Sequence, residues 1–356
     1  MSKLLTRAIE TLADGGDLAA EDTAAVLAEI MNGDASEVQI AAFLVALRIK
    51  GETVEELAGL ARTMRAFAAN VRAQHDDLLD TAGTGGGRRT FNVSTTAALI
   101  AAGAGCCVAK HGNRSATGLS GSADLLEALG ARIDLDPTAV ARCIDEVGFG
   151  FMFAPAHHPA TRYVVAVRRQ LAVRTTFNFL GPLTNPAGAT RQLLGVYDPE
   201  HLPKLAGALA LLGTRHALLV CGEDGFDELS ISAPTRVIEV RGGSLSEYTV
   251  TPEEVGLTRH SADLVPGGDP AFNAEVTREI LAGEPGAARD LAVLNAGAAI
   301  YAGGVSDSLP AGVAAAQEAI DSGTAALKLG WTVTSHRTDH APLSALIALH
   351  AAIGTA

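Results

Sequence analysis

Short apolar runs that end abruptly in polar loops constrain this chain more than any other feature. Leu78 to Ala82 runs into a glycine loop at Gly83, and Cys106 to Ala109 runs into the polar string Lys110 to Arg114. Gly148 to Ala154, Leu193 to Tyr197, His216 to Cys221, Arg236 to Arg241 and Leu245 to Val250 are further strand candidates. Helical patterns separate them: from a cap at Ser94 or Thr95 through Ala104, from Ser122 or Asp124 through Leu129, and over Glu200 to Leu212, Ala274 to Leu281, Ala287 to Tyr301 and Ala311 to Leu327. Strand alternating with helix predicts an α/β fold with a central, mostly parallel sheet covered by helices. Ligands of such sheets bind beyond the carboxyl ends of the strands, where both polar loops fall. The first 72 residues read differently. They hold two capping-box patterns, Ser36-x-x-Gln39 and Thr53-x-x-Glu56, and Val54, Leu57, Leu60, Ala61, Met64, Phe67 and Val71 recur at helical spacing, so a small helical unit precedes the sheet.

Charge excludes some partners. With 27 basic and 40 acidic residues the net charge is −13, which argues against a nucleic-acid partner held by the overall field. The longest apolar runs, such as Ala97 to Ala109 with its 13 residues, are broken by glycine and fall short of the roughly 18 that span a membrane. Acids at Glu10 and Asp14 interrupt any apolar signal core, and none of the four cysteines forms a CxxC pair. The expectation is a cytoplasmic protein with reduced thiols and no membrane partner.

Glycine is the outlier, at 38 residues, and its placement is uneven. The 40 residues from Gly83 to Ser122 hold nine glycines, nine Ser or Thr, four basic residues and no acid, although 40 acids in 356 residues would place four or five there. Closely approaching N–H groups, hydroxyls and a few cations are what an anion site needs. Within the window, Gly83 to Gly87 lets a backbone approach an anion, yet lacks the spacing of a Walker or dinucleotide loop. Asn92 to Thr96 precedes an Ala-rich helix, where a plain N-cap and an anion or metal-water site are compatible readings. Lys110-His111-Gly112-Asn113-Arg114-Ser115 is the most informative string, and it reads as a loop in which His111 is functional. Outside the window, Asp227-Glu228 can be a solvated surface pair or a Mg²⁺ site for a polyphosphate. His157-His158-Pro159 lacks a third zinc ligand at a usable spacing. Arg174 to Gly188 reads as an extended connection.

Taken in order, GTGG at Gly83, TFNVST at Thr90, KHGNRS at Lys110, SGSADLLEALG at Ser120, FAPAHHPA at Phe153, RTTFNFLGPLTNPA at Arg174 and DELS at Asp227 resemble the anthranilate phosphoribosyltransferases, from about residue 3 to Leu329. The resemblance implies transfer of the phosphoribosyl group of 5-phosphoribosyl 1-pyrophosphate (PRPP) to the amino group of anthranilate, a step of tryptophan biosynthesis. It implies Mg²⁺ as cofactor, a homodimer, and a hinged cleft between two domains. Their expected boundaries are 1–74, with about 163–187 returning to it, for the small helical domain, and 75–162 with 188–329 for the large α/β domain. Residues 330–356 form an extra tail.

Matched motif by motif, the PRPP site implied is Gly83, Gly86, Gly87, Thr90, Asn92, Val93, Ser94, Thr95, the run Lys110, His111, Gly112, Asn113, Arg114, Ser115, Ala116, Thr117 and Gly118, and Ser122. Ser94, Asp227 and Glu228 are the implied metal ligands. Gly83, Asn113 and Arg168 are the implied anthranilate contacts, with His111, His158 and Tyr163 nearby. Lys110 and Arg114 are expected to stabilise the leaving pyrophosphate electrostatically, and no general base is assigned. The chain departs from the family pattern in reading GTGGGRRTFN where GTGGDG usually precedes TFN, so Arg88 or Arg89 is expected to substitute for the missing contact. It also reads Thr117-Gly118-Leu119 where Ser-Ser-Lys is usual. Two rivals, a pyrimidine nucleoside phosphorylase of the same fold and a nucleic-acid-binding homologue, fit the Arg168 and HHP segment and the acidic charge less well.

Overall fold

The structure, a computed structural model, describes residues 2–115 and 118–337. Four helices open the chain: α1 (Lys3–Ala13), α2 (Ala20–Asn32), α3 (Glu37–Lys50) and α4 (Val54–Ala66). The two predicted boxes behave differently. At α4 the box is complete, with Glu56 N donating to Thr53 Oγ1 and Thr53 N donating to Glu56 Oε2. The buried Glu56 also accepts from Lys50 Nζ at 2.8 Å. At α3 only half a box forms, because the Gln39 amide turns instead to the Ser2 carbonyl at 3.0 Å.

Seven strands follow, all at the predicted places within a few residues: β1 (Leu78–Gly83), β2 (Cys107–Gly112), β3 (Phe149–Phe153), β4 (Arg191–Gly195), β5 (His216–Gly222), β6 (Thr235–Arg241) and β7 (Ser244–Val250). They form one sheet of order β3-β2-β1-β4-β5-β6-β7. The first five run parallel; β6 and β7 are antiparallel. Because β2 lies on one side of β1 and β4 on the other, the strand order reverses between β1 and β4. Crevices at such reversals, beyond the carboxyl ends, are where open α/β sheets bind ligands. Here that point is the pair Gly83 and Gly195, directly opposite in register.

Side chains along the central strands alternate between two apolar clusters, as a sheet covered on both faces requires. Leu193, Leu218 and Val220 face one cluster; Leu194, Leu219 and Cys221 face the other. The first cluster contains α5 (Val93–Gly103) and, further along the chain, α12 (Pro270–Leu281), α13 (Ala287–Gly303) and α14 (Leu309–Asp321). The second merges α11 (Leu202–Leu211) with α1 to α4. Between β2 and β3 lie α6 (Ser122–Ala128) and α7 (Pro137–Val147); α7 covers the sheet edge through Val140 and Ile144.

The connection from β3 to β4 contains α8 (Ala154–His157), α9 (Arg162–Leu171) and the single turn α10 (Phe177–Leu180). Val164, Val167, Phe179, Leu180 and Leu183 all join the cluster of the N-terminal helices. Polar ties then fix the segment 174–188 from both sides. Thr176 Oγ1 donates to the buried Glu52 carboxylate, and Arg65 Nε donates to Leu183 O at 2.8 Å. On the sheet side, Asn185 Nδ2 donates to Asp80 Oδ2 and to Ala109 O, both at 2.8 Å.

Five expectations change. Lys110, His111 and Gly112 lie on β2 rather than in the loop after it, because pairing with β3 continues to Gly112 opposite Phe153. α5 starts at Val93 with Asn92 at the cap position, so neither Ser94 nor Thr95 is its N-cap. The segment 311–327 is two helices, α14 and α15 (Thr324–Arg337), broken at Gly323 with φ +76°. Arg174 to Gly188 carries helical turns at Phe177–Leu180 and Gly181–Leu183 rather than being extended throughout. The supposed tail begins inside α15, and its remainder from 338 lies outside the described residues.

Asn185 pins this arrangement, since it supplies a side-chain donor to Asp80 Oδ2 while the His111 amide serves Oδ1. Asn185→Ala is expected to lower stability by about 2–3 kcal/mol, the cost of orphaning a buried acceptor. Urea unfolding checks this; a loss below about 1 kcal/mol would remove Asn185 from that role.

Candidate active site

A cleft of about 990 Å³ opens at the strand reversal. Its floor is built by close backbone approach. A Cβ on Gly195 would collide with the Asp227 carbonyl oxygen, and one on Gly87 would lie 2.5 Å from Asp227 Oδ1. One on Gly83 would stand 3.4 Å from Asp227 Oδ2. Backbone bonds complete the contact: Thr84 N donates to Gly195 O at 2.9 Å and Arg88 N donates to Gly225 O at 2.7 Å. At Gly195 and Gly87 only glycine permits this packing, which seats the Asp227 carboxylate against the Gly83–Gly87 loop.

Asp227 and Glu228 line the same wall. Burial lifts the Asp227 pKa, against backbone N–H donation from its own amide and from Gly85. Burial and then Asp227 itself push Glu228 well above the usual carboxylate range, against Lys110 and the Ser94 N–H. Two adjacent carboxylates that repel each other in a poorly hydrated wall suit a hard divalent cation, which relieves both penalties. Ser94 lines the cleft beside them, at the start of α5. Among the described residues no group of three or more His, Cys, Asp or Glu side chains is arranged as a metal site. Any cation here therefore completes its shell with a hydroxyl, water or substrate oxygens, as Mg²⁺ commonly does.

Lys110 is 1% exposed. Its ammonium donates to Thr81 O and to Thr81 Oγ1. Burial lowers its pKa to about 8, opposed by Asp80 and Glu228. His111 N donates to Asp80 Oδ1 at 3.0 Å, so Asp80 ties β1 to β2 directly beneath the site. The His111 ring packs 5.0 Å from that of His158. Its Nδ1 lies 3.2 Å from Gly181 O, which assigns the proton to Nδ1, and Nε2 is left without a partner. Burial, with His158 second, lowers His111 to about 3; burial, with His157 second, lowers His158 to about 4. Both rings are neutral at physiological pH.

The cleft gathers positive charge within an acidic chain. Arg88, Arg89, Lys110, Arg168, Arg169 and Arg174 line it against two carboxylates, Asp227 and Glu228. Arg88 is engaged by Asp263 at 2.5 Å, whereas Arg89, Arg169 and Arg174 have no ion pair among the described residues. Of the two arginines expected to replace the missing loop contact, Arg89 is therefore the free one. Arg168 is half-buried, lies over the Phe177 ring at 5.6 Å, and reaches Asn178 Oδ1 at 3.4 Å. Its Nε has no partner.

Most of the expected residues meet here. Gly83, Gly86, Gly87, Thr90, Asn92, Val93, Ser94, Lys110, His111, Gly112, Asn113, Ser115, Gly118, Ser122, Arg168, Asp227 and Glu228 all line the cleft. Some of them have structural partners already: Thr90 Oγ1 donates to Val265 O, and the Asn92 amide is shared between Ser120 and Asn273. Thr95 is fully buried behind the wall with its hydroxyl unpartnered. Ala116 and Thr117 lie outside the described residues.

Besides Thr95, three expected residues fall outside the cleft lining. Arg114 Nη1 is held by Asp124 at 2.7 Å and Glu127 at 2.6 Å on α6, and its guanidinium sits over Phe153, so it is not offered to a ligand in the cleft. Tyr163 packs over Gly33 at the end of α2 and accepts from Arg162 Nη2. His158 reaches the site only through His111. Conversely, Arg169, Arg174, Asn178, Gly267, Gly268 and Asn273 line the cleft without having been singled out as site residues. Arg174 and Asn178 lay within a quoted motif and Arg169 stands beside Arg168; Gly267, Gly268 and Asn273 carried no local signal.

Residues 75–326 match the a/b domain of the glycosyl transferase family, and residues 6–68 match that family's helical bundle domain. The anthranilate phosphoribosyltransferase of Anaeromyxobacter dehalogenans is 51% identical over 327 residues, covering 92% of this chain and 97% of that protein. That of Symbiobacterium thermophilum is 52% identical over 318 residues, covering 89% and 93%. The crystal structure of the Thermus thermophilus anthranilate phosphoribosyltransferase superposes with a TM-score of 0.88 at 47% identity, covering 93% of this chain and 99% of that one. The Saccharomyces cerevisiae enzyme in complex with PRPP and Mg superposes with a TM-score of 0.85 at 28% identity, covering 95% and 99%. Fold, site and sequence agree: the chain belongs to the anthranilate phosphoribosyltransferase family.

Proposed function

We propose that this chain transfers the phosphoribosyl group of PRPP to the amino group of anthranilate, giving N-(5-phosphoribosyl)anthranilate and pyrophosphate, for tryptophan biosynthesis. The observation that carries the reading is the cleft at the β1/β4 reversal. There, six cationic side chains and a glycine loop surround two carboxylates that can hold a cation. The yeast relatives bound to PRPP with Mg and to 4-fluoroanthranilate support the same pair of ligands.

The donor fits the polar half. In the glycine loop the Gly86 and Gly87 amides suit phosphate oxygens, while those of Thr84 and Gly85 are spent on Gly195 O and Asp227. Lys110, together with the unpaired Arg89, supplies charge where the pyrophosphate leaves. Asp227 and Glu228, with Ser94, would hold Mg²⁺. When bound, Mg²⁺ neutralises charge growing on the pyrophosphate. Arg168 faces the acceptor and can take its carboxylate in a bidentate grip. Asn113 and His111 adjoin it, and the bare His111 Nε2 can accept an aryl-amine N–H. An aryl amine is already neutral, so the step needs positioning rather than a strong base. A homodimer, cytoplasmic residence and movement of the helical unit with about 163–187 against the rest complete the proposal; the packing of Val164, Val167, Phe179 and Leu180 on the N-terminal helices supports the pairing of those two parts.

The direct test follows anthranilate fluorescence. It should fall on addition of PRPP and Mg²⁺, stop when the metal is chelated, and resume when Mg²⁺ is restored. Phosphorolysis of uridine or thymidine without anthranilate consumption would overturn the reading. Arg168→Ala should raise KM for anthranilate by about tenfold or more while moving KM for PRPP by less than about twofold. Equal changes in both would detach Arg168 from the acceptor. Because burial depresses both imidazoles, the ring C–H resonances of His111 and His158 should stay constant from about pH 8 to pH 5. Titration of either near its ordinary value would contradict the neutral His111 acceptor.

A further inference from the structure

Arg174 occupies a singular place in the cleft. Its Nη2 stands where a Cβ on Gly86 would collide with it, so the guanidinium lies directly on the glycine-loop backbone. Its other face covers the Tyr197 ring, with the guanidinium carbon 4.3 Å from the ring centre. Tyr197 N in turn donates to Thr84 Oγ1 at 3.3 Å, so the stacking partner is itself fastened to the loop. The charge of Arg174 also acts on Asp227, favouring its ionised form. No carboxylate forms an ion pair with Arg174 among the described residues, and its planar cation is held between the Gly86 backbone and the Tyr197 ring. The backbone leading to it is unusual. Ala172, at the end of α9, is the only non-glycine described residue with positive φ, at +52°, a strained conformation for a residue with a Cβ. That turn sends the chain from Arg168 on α9 across the cleft to the loop, six residues later.

We propose that Arg174 is a positioning residue for the phosphoribosyl donor: by bracing Gly86 against Tyr197 it holds the glycine loop closed on Asp227, and it links that loop to the acceptor-facing end of α9. The inference deepens the proposed reaction and rests on it. A guanidinium suits the task because it is flat enough to lie between a backbone and a ring, which an ammonium is not. Removing it frees the loop without touching the acceptor's contacts at Arg168.

The test is steady-state kinetics on Arg174→Ala. KM for PRPP should rise about tenfold, with KM for anthranilate changed by less than about twofold and the unfolding midpoint near that of wild type. Added guanidinium ion at non-denaturing concentration should recover part of the loss, and Arg174→Lys should recover less than half, since it restores charge without the stack. Tyr197→Leu, which removes only the platform, should give the same pattern at smaller size and keeps the proposal testable should Arg174→Ala fail to fold. Equal increases in both KM values, or a PRPP KM unchanged in both variants, would overturn it. A wild-type chain that does not consume anthranilate would instead overturn the reaction itself.

Discussion

The packing of three glycines around Asp227 is the constraint on which the rest of the site depends. Gly83 ends β1, Gly195 ends β4, and Gly87 lies in the loop between β1 and α5; a Cβ on Gly195 or Gly87 would overlap Asp227, and one on Gly83 would just touch its carboxylate. Because Gly83 and Gly195 are opposite in register, the carboxylate is fixed relative to the sheet itself. The acid-free window from Gly83 to Ser122 then makes sense beside it. Among the described residues the cleft takes its negative groups from elsewhere in the chain, at Asp227 and Glu228, and carries none in the glycine loop.

Burial gives those charges their chemistry. Lys110 and Asp80 sit on adjacent strands under the cleft, each partly offsetting the desolvation of the other. Asn185 and the His111 amide hold Asp80 from two directions, so the segment from 174 to 188 and the strand bearing Lys110 share one buried carboxylate. The proposed acceptor side, through Arg168 and Asn178, and the proposed donor side, through Arg174, lie on that same anchored segment and on the helix before it. A change at either end has a short, well-packed route to the other, which fits a two-substrate reaction with no acid–base residue of its own.

Much of this was legible in the sequence because it is local. Apolar runs ending in polar loops gave all seven strands, and the glycine window marked the loop that meets Asp227. What escaped depends on partners distant in the chain. Lys110 and His111 read as loop residues because nothing local announces the β3 pairing that extends β2. Arg114 read as a ligand because Asp124 and Glu127 meet it only once α6 folds back. Arg174 and Gly86 are 88 residues apart, and the fit between them exists only in three dimensions. α7 and α9 carry ordinary signals, an Asp136 cap with Pro137 at the start of one and an apolar stripe through Val164 and Val167 on the other, short enough to be masked by the glycine and polar strings around them.

The most direct measurement is calorimetric titration of the Gly87→Ala variant with PRPP in the presence of Mg²⁺. Gly87 has no left-handed φ, so the added methyl acts by crowding the Asp227 carboxylate and amide and the Gly225 carbonyl. If the glycine packing around Asp227 sets the donor site, affinity for PRPP falls by at least about tenfold while the fold persists and anthranilate affinity holds. An unchanged PRPP affinity in a variant that folds would contradict the account at its centre.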